Sequence, residues 1–348
     1  MNNLDNFSPA KGKILVSNNH WANIGDAFYQ NSIIHDLRQV YGGEFDVLSC
    51  DEHSCHIDPL LKFCHHNVFN YSLFGNCNWY VLSGPVLHKN FAKLYAPLLK
   101  TLHEKKIKVV FISAGGLVYD AEEISTCRQV LEAYPPFIFS TRDTETYRSY
   151  SDLAKYSYDG ICSAFYSCLQ YPGYNTDDLG EYIVYSFDKY TEPEIESLEK
   201  LDTWEWDIKI KNNSVPLRRL SRSEMLLDLF HKYPQSIENL KIIRLHHETL
   251  TKVTPLIYRR PNTFVSLNPY SYLNIIKNAS LVLATRVHAS VTALSYQKPT
   301  MLLVKTKRSY LFDRLGLQDI LHKPVNIAAD KIKEEHHKFI NFLENIEF

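Results

Sequence analysis

Short apolar runs rich in β-branched and aromatic residues alternate along the chain with longer segments whose apolar residues recur at helical spacing. This alternation is typical of parallel sheets joined by crossover helices, so it predicts an α/β fold. One helix is predicted to begin after Gly25-Asp26, and another to run through 91–102. The strands predicted for the first half, which together suggest a Rossmann-like domain, are 13–17, 45–49, 79–83, 108–113 and 137–141.

A cluster of turn-forming residues at 170–178 interrupts the pattern, and the alternation then resumes. Strands are predicted at 182–187, 240–245, 264–267, 281–285 and 300–304, whereas the charged segment 192–216 is left unassigned. We therefore expect an N-terminal Rossmann-like domain (1–170), a linker (171–180), a C-terminal Rossmann-like domain (181–327) and a terminal helix (328–348) that packs back on the first domain. Two such domains facing each other leave a cleft at the carboxyl ends of their strands, where ligands of open α/β sheets bind.

Composition supports two domains, because 348 residues with 45% hydrophobic residues are enough for two cores. The formal net charge of −1 provides no global field to attract nucleic acid or an anionic membrane, so we expect no nucleic-acid partner. There is no apolar run of about 18 residues and no signal-peptide pattern. We expect a cytoplasmic protein without a transmembrane segment, and peripheral association with the inner face of the membrane stays open. The seven cysteines, an odd number, favour reduced thiols.

The strongest local signal is the segment 279–303, in which an apolar strand ends at Thr285 and a helix of small residues follows before Pro299. This pattern places Arg286 and His288 in the first turn of the helix, where backbone N–H groups and the helix dipole favour an anion. A guanidinium adds a bidentate clamp for phosphate or carboxylate, and a neighbouring histidine can transfer protons near neutral pH. An alternative stays open, in which Arg286 forms an interdomain ion pair and His288 is a buried structural histidine.

Two further turns follow predicted strands and precede predicted helices. In Asn23-Ile-Gly-Asp, Gly25 permits a tight turn close to a ligand, and Asp26 lies where a helix cap would lie. In Ser140-Thr-Arg-Asp, Arg142 would add a second positive charge to the cleft and Asp143 would cap the helix, unless Arg142 is an ordinary surface arginine.

Two other groups of side chains suggest sites less clearly. The cysteines and histidines at 50, 55–56 and 64–66 lack the spacing of known zinc motifs, so no metal site is predicted there. Lys305, Lys307 and Arg308 form a basic group past the last predicted strand. This group is either a solvated face or an addition to the same sheet edge as Arg286.

Taken in order, these turns resemble motifs of the polysaccharide pyruvyltransferase family. Asn23-Ile-Gly-Asp26 is similar to an N-x-GD turn, Ser140-Thr-Arg-Asp143 to an S-x-RD turn, and the block 272–288 with its Arg-Val-His is the most specific match. The chain has Ser83-Gly84-Pro85 where the family usually has a run of glycines, so acceptor recognition is expected to differ.

The resemblance implies a GT-B-like fold and the transfer of a pyruvyl group from phosphoenolpyruvate to two hydroxyls of one sugar in a surface or exopolysaccharide precursor, which forms a cyclic ketal. It implies that Arg142 and Arg286 bind the donor and that His288, beside Arg286, is the catalytic acid and base. We also expect Lys305 to contribute to donor binding from the same sheet edge as Arg286, and the turn of Asn23, Gly25 and Asp26 to form an acceptor or cleft loop. It also implies that the reaction needs no metal and no cofactor. The implied partners are phosphoenolpyruvate and a sugar or lipid-linked oligosaccharide.

Two other functions stay open from the residues. A glycosyltransferase of the same shape would hold a nucleotide sugar, and a carboxylate would then bind the ribose hydroxyls, but the sequence offers no convincing candidate beside Arg286. A glycan-binding protein without catalytic activity would keep the fold, although the presence of both Arg286 and His288 argues against it.

Overall fold

The computed structural model describes residues 12–18, 21, 23–51, 77–202, 204–211, 217–227, 230–247 and 259–347. The chain divides into two compact units, each built from separate stretches of sequence. The first unit comprises Met1–His20, Gln30–Ser163 and Glu335–Phe348, and the second comprises Trp21–Tyr29 and Ala164–Glu334. The predicted domains 1–170 and 181–327 are continuous stretches of sequence. The observed units differ from them because Trp21–Tyr29 belongs to the second unit and Glu335–Phe348 to the first.

The first unit is built on a sheet of six parallel strands in the order β2-β1-β3-β4-β5-β6. Its core clusters apolar side chains of the sheet with those of helices α2 and α3, including Phe91, Leu98, Phe111 and Leu131. The elements are β1 (Gly12–Asn18), α1 (Ile24–Tyr41, whose first turns belong to the second unit), β2 (Phe45–Asp51), β3 (Trp79–Leu87), α2 (Phe91–Glu104), β4 (Lys108–Gly116), α3 (Ala121–Ala133), β5 (Ile138–Thr141), α4 (Thr144–Tyr150) and β6 (Tyr156–Asp159).

The second unit contains a sheet in the order β10-β11-β7-β13-β14, with β12 also paired to β11, and an antiparallel pair β8-β9. All pairings in that sheet are parallel except β10 with β11. The elements are α5 (Ser167–Gln170), β7 (Tyr182–Ser186), β8 (Ile195–Lys200), β9 (Trp206–Ile210), α6 (Arg222–Leu227), β10 (Ser236–Ile237), β11 (Leu240–Leu245), β12 (Thr263–Phe264), α7 (Pro269–Asn278), β13 (Leu281–Ala284), α8 (Val287–Ser295), β14 (Thr300–Leu302) and α9 (Ala329–Glu344, which continues into the first unit).

Most predicted strands are present, and the exceptions have local causes. The strand predicted at 264–267 stops at Phe264, because the Ser266 N–H donates to the Tyr272 hydroxyl at 3.1 Å and Asn268 then caps α7. The unassigned segment 192–216 contains the antiparallel pair β8-β9, in which charged residues interrupt the apolar ones. Strand β6 was not predicted, since its sequence Tyr-Ser-Tyr-Asp carries no aliphatic residue.

The segment predicted as a linker packs within the second unit. Tyr174 donates its backbone N–H to Asn274 Oδ1 at 2.8 Å, and the Tyr171 carbonyl accepts from the Tyr296 hydroxyl at 2.6 Å. Among the described residues, no helix combines the length and the apolar character needed to cross a membrane.

Candidate active site

The start of α8 places Arg286 and His288 on one short piece of backbone at the carboxyl end of β13. Helix α8 begins at Val287, so Arg286 occupies the N-cap position and only His288 lies in the first turn. The expectation that both residues lie in the first turn is therefore wrong for Arg286. Thr285 does not cap the helix, because its hydroxyl donates instead to the carbonyls of Ser186 and Phe187.

Asp188 fixes the guanidinium of Arg286. Arg286 Nε donates to Asp188 Oδ2, and the two residues follow the neighbouring parallel strands β13 and β7. Asp188 is 2% exposed and has a φ of +48°, a conformation that non-glycine residues adopt rarely. This ion pair with Asp188 lies within the second unit.

The surroundings of Asp188 stabilise its negative charge. Burial alone would raise its pKa, but the charge of Arg286 and then a hydrogen bond from His246 outweigh burial and hold the pKa of Asp188 well below its usual value. The backbone N–H of His247 donates to Asp188 Oδ1 at 2.8 Å, and His246 Nδ1 lies 3.4 Å from the same oxygen. Asp188 therefore stays ionised and keeps the Arg286 side chain in one orientation.

The first turn of α1 lies against His288. Asp26 Oδ1 is 3.9 Å from His288 Nδ1, and the ring of Tyr29 is 5.2 Å from the imidazole between centroids. A side chain at Gly25 would collide with the imidazole, because its Cβ would lie 2.9 Å from His288 Nδ1. The imidazole is mostly buried, with 11% of its side chain exposed. Its Nδ1 nitrogen thus faces α1.

Asp26 is not the N-cap that the sequence suggests, since α1 already begins at Ile24 and Asp26 lies in its first turn. The turn contacts His247, two residues past β11 of the second unit: the Ile24 N–H donates to the His247 carbonyl at 2.8 Å, and Phe28 packs edge-on against the His247 ring at 5.8 Å. Asn23 Nδ2 contacts Asp26 Oδ1 at 3.4 Å. The structure therefore brings Asn23, Gly25, Asp26, Arg286 and His288 together in one unit.

Arg142 belongs to the first unit and is 2% exposed, so it is not an ordinary surface arginine. It follows β5, and its Nη2 donates to the Gly116 carbonyl at 3.3 Å. A Cβ at Gly115 would overlap the guanidinium, so the glycine lets the side chain lie directly on the β4 backbone. Asp143 caps α4 by accepting from the Thr146 N–H at 2.8 Å, as predicted.

The loop that follows the end of β4 is held by a buried carboxylate. Glu123 is 1% exposed and accepts from the backbone N–H groups of Leu117, Val118 and Tyr119 at 2.9 to 3.0 Å. The Tyr119 hydroxyl in turn donates to Asp143 Oδ2 at 2.8 Å. Burial raises the pKa of Asp143, and the charge of Arg142 opposes part of that rise.

The remaining sequence candidates lie elsewhere. Lys305 is exposed, three residues past β14, the strand that pairs with β13 in parallel. The cysteines and histidines at 55–56 and 64–66 lie outside the described residues, while Cys50 is buried in β2. Within the described ranges, no three His, Cys, Asp or Glu side chains converge in the manner of metal ligands.

Sequence reasoning missed Asp188 and Glu123. Asp188 stands two residues past the end of β7, so the strand-end argument that selected Arg286 and Arg142 also applies to it. Glu123 lies within α3 at a position that resembles an ordinary first-turn acid, and no local pattern distinguishes it from Glu122.

Several solved structures resemble the whole chain at low sequence identity. A protein assigned as a UDP-N-acetylglucosamine 2-epimerase from Listeria monocytogenes aligns with a TM-score of 0.50 and 10% identity, over 97% of this chain and 89% of that one. The Neisseria meningitidis UDP-GlcNAc 2-epimerase bound to UDP-GlcNAc aligns at 0.49 and 12%, over 95% and 99%. The Escherichia coli heptosyltransferase WaaC with ADP aligns at 0.38 and 11%, over 96% and 100%. The class is an α/β fold of the GT-B type, as predicted.

A family model described as polysaccharide pyruvyl transferase matches residues 23–304. The matched range includes Asn23, Asp26, Arg142, Arg286 and His288, and it ends just before Lys305. The chain belongs to this polysaccharide pyruvyl transferase family, which confirms the resemblance drawn from the three turns. No curated protein sequence matches the chain significantly.

Proposed function

We propose that the protein transfers a pyruvyl group from phosphoenolpyruvate to two hydroxyls of one sugar in a polysaccharide precursor, which forms a cyclic ketal. The observation that carries the proposal is the arrangement at the start of α8, where a guanidinium oriented by Asp188 stands two residues from an imidazole that contacts the first turn of α1. A reaction that uses this donor requires one group that binds its anionic parts and another that transfers protons.

Arg286 would bind the anionic donor. Asp188 orients its guanidinium through Nε, and we assign this guanidinium to a carboxylate or phosphate of phosphoenolpyruvate. The backbone N–H groups at the amino terminus of the nine-residue helix α8 add a favourable dipole to the same anion.

His288 would move the protons. The methylene carbon of phosphoenolpyruvate must gain a proton, after which two sugar hydroxyls bond to the neighbouring carbon and the phosphate leaves with its oxygen. Two hydroxyl protons are released, and one ends on the new methyl group while the other ends on inorganic phosphate. Because Nδ1 faces Gly25 and Asp26, we assign the transfer to Nε2, with the Asp26 carboxylate stabilising the charged imidazolium.

By the resemblance, we also propose Arg142 and Lys305 as donor-binding residues and the turn of Asn23, Gly25 and Asp26 as an acceptor-binding turn. Arg142 is supported by its position after β5, against the glycines at the end of β4, and Lys305 by its position past β14, the strand next to β13. We further propose that the acceptor is a sugar of an exopolysaccharide or surface polysaccharide, free or lipid-linked, reached from the cytoplasm at the inner face of the membrane. The proposed reaction uses no metal and no cofactor.

Thermal unfolding with candidate ligands tests this proposal, because a ligand that binds only the folded state raises its stability, by about 2.7 kcal/mol at one hundred times its dissociation constant. We expect phosphoenolpyruvate to raise the melting temperature of the wild-type protein and not that of Arg286→Ala. Stabilisation by a nucleotide sugar and not by phosphoenolpyruvate would indicate a glycosyltransferase. Stabilisation by glycans alone would indicate a binding protein.

A further inference from the structure

Three neighbouring strands of the second unit end at one row of polar residues. The strands β11, β7 and β13 are adjacent and parallel, so their carboxyl ends lie at the same edge of the sheet. The chain continues from them into His246-His247, Asp188 and Arg286, respectively. Asp188 stands in the middle of this row, which explains why it contacts Arg286 on one side and the two histidines on the other.

The backbone of His247 joins the two sides of the candidate site. Its N–H donates to Asp188 Oδ1 at 2.8 Å, and Asp188 orients Arg286 through Nε. Its carbonyl accepts from the Ile24 N–H at 2.8 Å, at the start of the α1 turn that lies against His288. A shift of this one residue would therefore move both the guanidinium and the surface that contacts the imidazole.

The ring of His247 is held between aromatic side chains of two helices. Phe28 of α1 meets it edge-on at 5.8 Å between centroids, and Tyr272 of α7 meets it in the same manner at 5.9 Å. His247 is 1% exposed and Tyr272 is fully buried. Edge-to-face packing favours particular ring orientations, and close packing leaves the residue little room to move.

The hydroxyl of Tyr272 fixes the backbone next to His247. It donates to the His246 carbonyl at 2.8 Å and accepts from the Ser266 N–H at 3.1 Å. A phenol can donate and accept at once, so this one group ties α7 to the chain that follows β11. Loss of the hydroxyl would leave buried backbone groups without this partner, and the backbone at His246 would have to adjust.

We propose that His247, held by Tyr272, is a positioning residue that places the Arg286 guanidinium and the His288 imidazole relative to each other, so that both reach one donor molecule. All of these residues belong to the second unit. What the two groups do in the reaction rests on the proposed function, whereas their placement is a property of the protein without ligand. The two parts of the inference can therefore be tested separately.

Nuclear magnetic resonance of the ligand-free protein tests the placement. The Nε–H signal of Arg286 and the ring signals of His288 are assigned by their loss in Arg286→Lys and His288→Gln. We expect His247→Ala to shift both sets of signals, because it removes the ring between Phe28 and Tyr272. Tyr272→Phe should shift both by a smaller amount, and it keeps the test available if His247→Ala does not fold.

Tyr182→Phe is the matched control for Tyr272→Phe. The Tyr182 side chain is also fully buried in the second unit, and its hydroxyl donates to a backbone carbonyl, that of Ile275, at 2.7 Å. This variant loses a hydrogen bond of the same kind without touching the chain after β11. It should leave the signals of Arg286 and His288 in place.

Kinetics then test the effect on the proposed reaction. His247→Ala should weaken phosphoenolpyruvate binding by about fivefold, since the guanidinium loses its fixed orientation. It should also lower kcat at least about tenfold, because displacement of a catalytic group by about 1 Å costs up to about 100-fold. Tyr272→Phe should change both quantities in the same direction, and Tyr182→Phe should change neither.

Double variants separate positioning from general destabilisation. If His247 acts through its two neighbours, His247→Ala should no longer raise the KM for phosphoenolpyruvate in Arg286→Ala, and it should no longer lower kcat in His288→Ala. Effects that add fully in both backgrounds would overturn the inference. So would unchanged signals of Arg286 and His288 in both His247→Ala and Tyr272→Phe, whatever the activity. Shifted signals in a protein that does not use phosphoenolpyruvate would support the positioning role and reject the proposed function instead.

Discussion

In the candidate site, Arg286 and His288 each contact a carboxylate. Asp188 is more deeply buried than Arg286, whose side chain is 23% exposed. The buried carboxylate therefore orients the guanidinium, whose partly exposed end is the part that we propose binds the donor. Asp26 Oδ1 lies 3.9 Å from His288 Nδ1, which exceeds a hydrogen-bond distance, so Asp26 is coupled to the imidazole more weakly than Asp188 is to Arg286.

Replacing Arg286 and His288 should produce different kinetic defects, because one is proposed to hold charge and the other to move protons. Arg286→Ala should weaken phosphoenolpyruvate binding by about 2 to 4 kcal/mol through loss of a charge-assisted contact. His288→Ala should leave donor binding nearly unchanged and lower kcat by roughly 100-fold or more. Donor affinity from calorimetry and turnover from phosphate release distinguish the two. If His288→Ala kept full ketal-forming activity, His288 would not be the catalytic acid and base.

Asp188→Asn should make the protein less sensitive to acid. The folded pKa of Asp188 lies below its unfolded value of about 4, so its ionised form stabilises the native state above that pH, and this stabilisation is lost as the pH falls towards the folded pKa. The wild-type free energy of unfolding should therefore decrease more steeply than that of Asp188→Asn below about pH 4. Urea titrations across this pH range measure the slopes.

A control variant and a binding measurement complete the test of Asp188. The exposed Asp319→Asn, which alters a surface pair with Lys323, is the control and should retain the wild-type slope. Equal slopes in wild type and Asp188→Asn would show that Asp188 does not ionise with a lowered pKa. At neutral pH the variant should also bind donor more weakly, since Arg286 is no longer oriented.

At the scale of elements, the first turn of α1 and the first turn of α8 meet at a glycine. A glycine within a helix costs about 1 kcal/mol relative to alanine, so Gly25 is not explained by helix stability. The space that it leaves is filled by the His288 imidazole, whose Nδ1 would lie 2.9 Å from an added Cβ. Contact between the helices thus sets the position of the proposed proton-transfer group.

Gly25→Ala should lower activity without loss of fold. Alanine favours the helix by up to about 1 kcal/mol, which offsets part of the steric cost, while the methyl group displaces His288. We expect turnover to fall at least about tenfold, with a melting temperature within a few degrees of wild type, since misplacement of a catalytic group by about 1 Å costs up to about 100-fold. Gly43→Ala is the matched control, because no atom lies within 4 Å of its added Cβ. Wild-type turnover in Gly25→Ala would contradict the proposed position of His288.

At the scale of the whole molecule, the two units do not correspond to two halves of the sequence. The final residues of α9 belong to the first unit, where Phe342 stacks on Tyr158 at 4.9 Å and His336 Nε2 lies 3.0 Å from the buried Asp36 Oδ1. The Tyr41 hydroxyl donates to the Leu343 carbonyl at 2.5 Å. The first unit thus depends on residues 335–347, which are far in sequence from the rest of it.

Deleting residues 335–348 should destabilise the first unit. The deletion removes the buried side chains Phe339, Ile340 and Leu343, each of which contributes about 2 kcal/mol or more, and exposes Tyr158. We expect the unfolding transition to occur at a lower urea concentration, and amide hydrogen exchange in β6 and α1 to increase. Asp330→Ala, at a 96% exposed position of the same helix, should unfold like wild type. An unchanged transition in the deletion variant would show that α9 does not stabilise this unit.

The sequence by itself determined the α/β class, most strands and the family, because these depend on local periodicity and on short motifs after strands. The positions of Arg286, His288 and Arg142 at strand ends followed from the same periodicity, although their burial and partners did not. Only the tertiary structure showed that Asp188 orients Arg286, since the two residues are far apart in the chain and meet only because β7 pairs with β13. It also showed that residues 21–29 belong to the second unit. Hydrophobic spacing predicts that a helix has a buried face, but not which sheet covers that face, because that choice depends on contacts between distant parts of the chain.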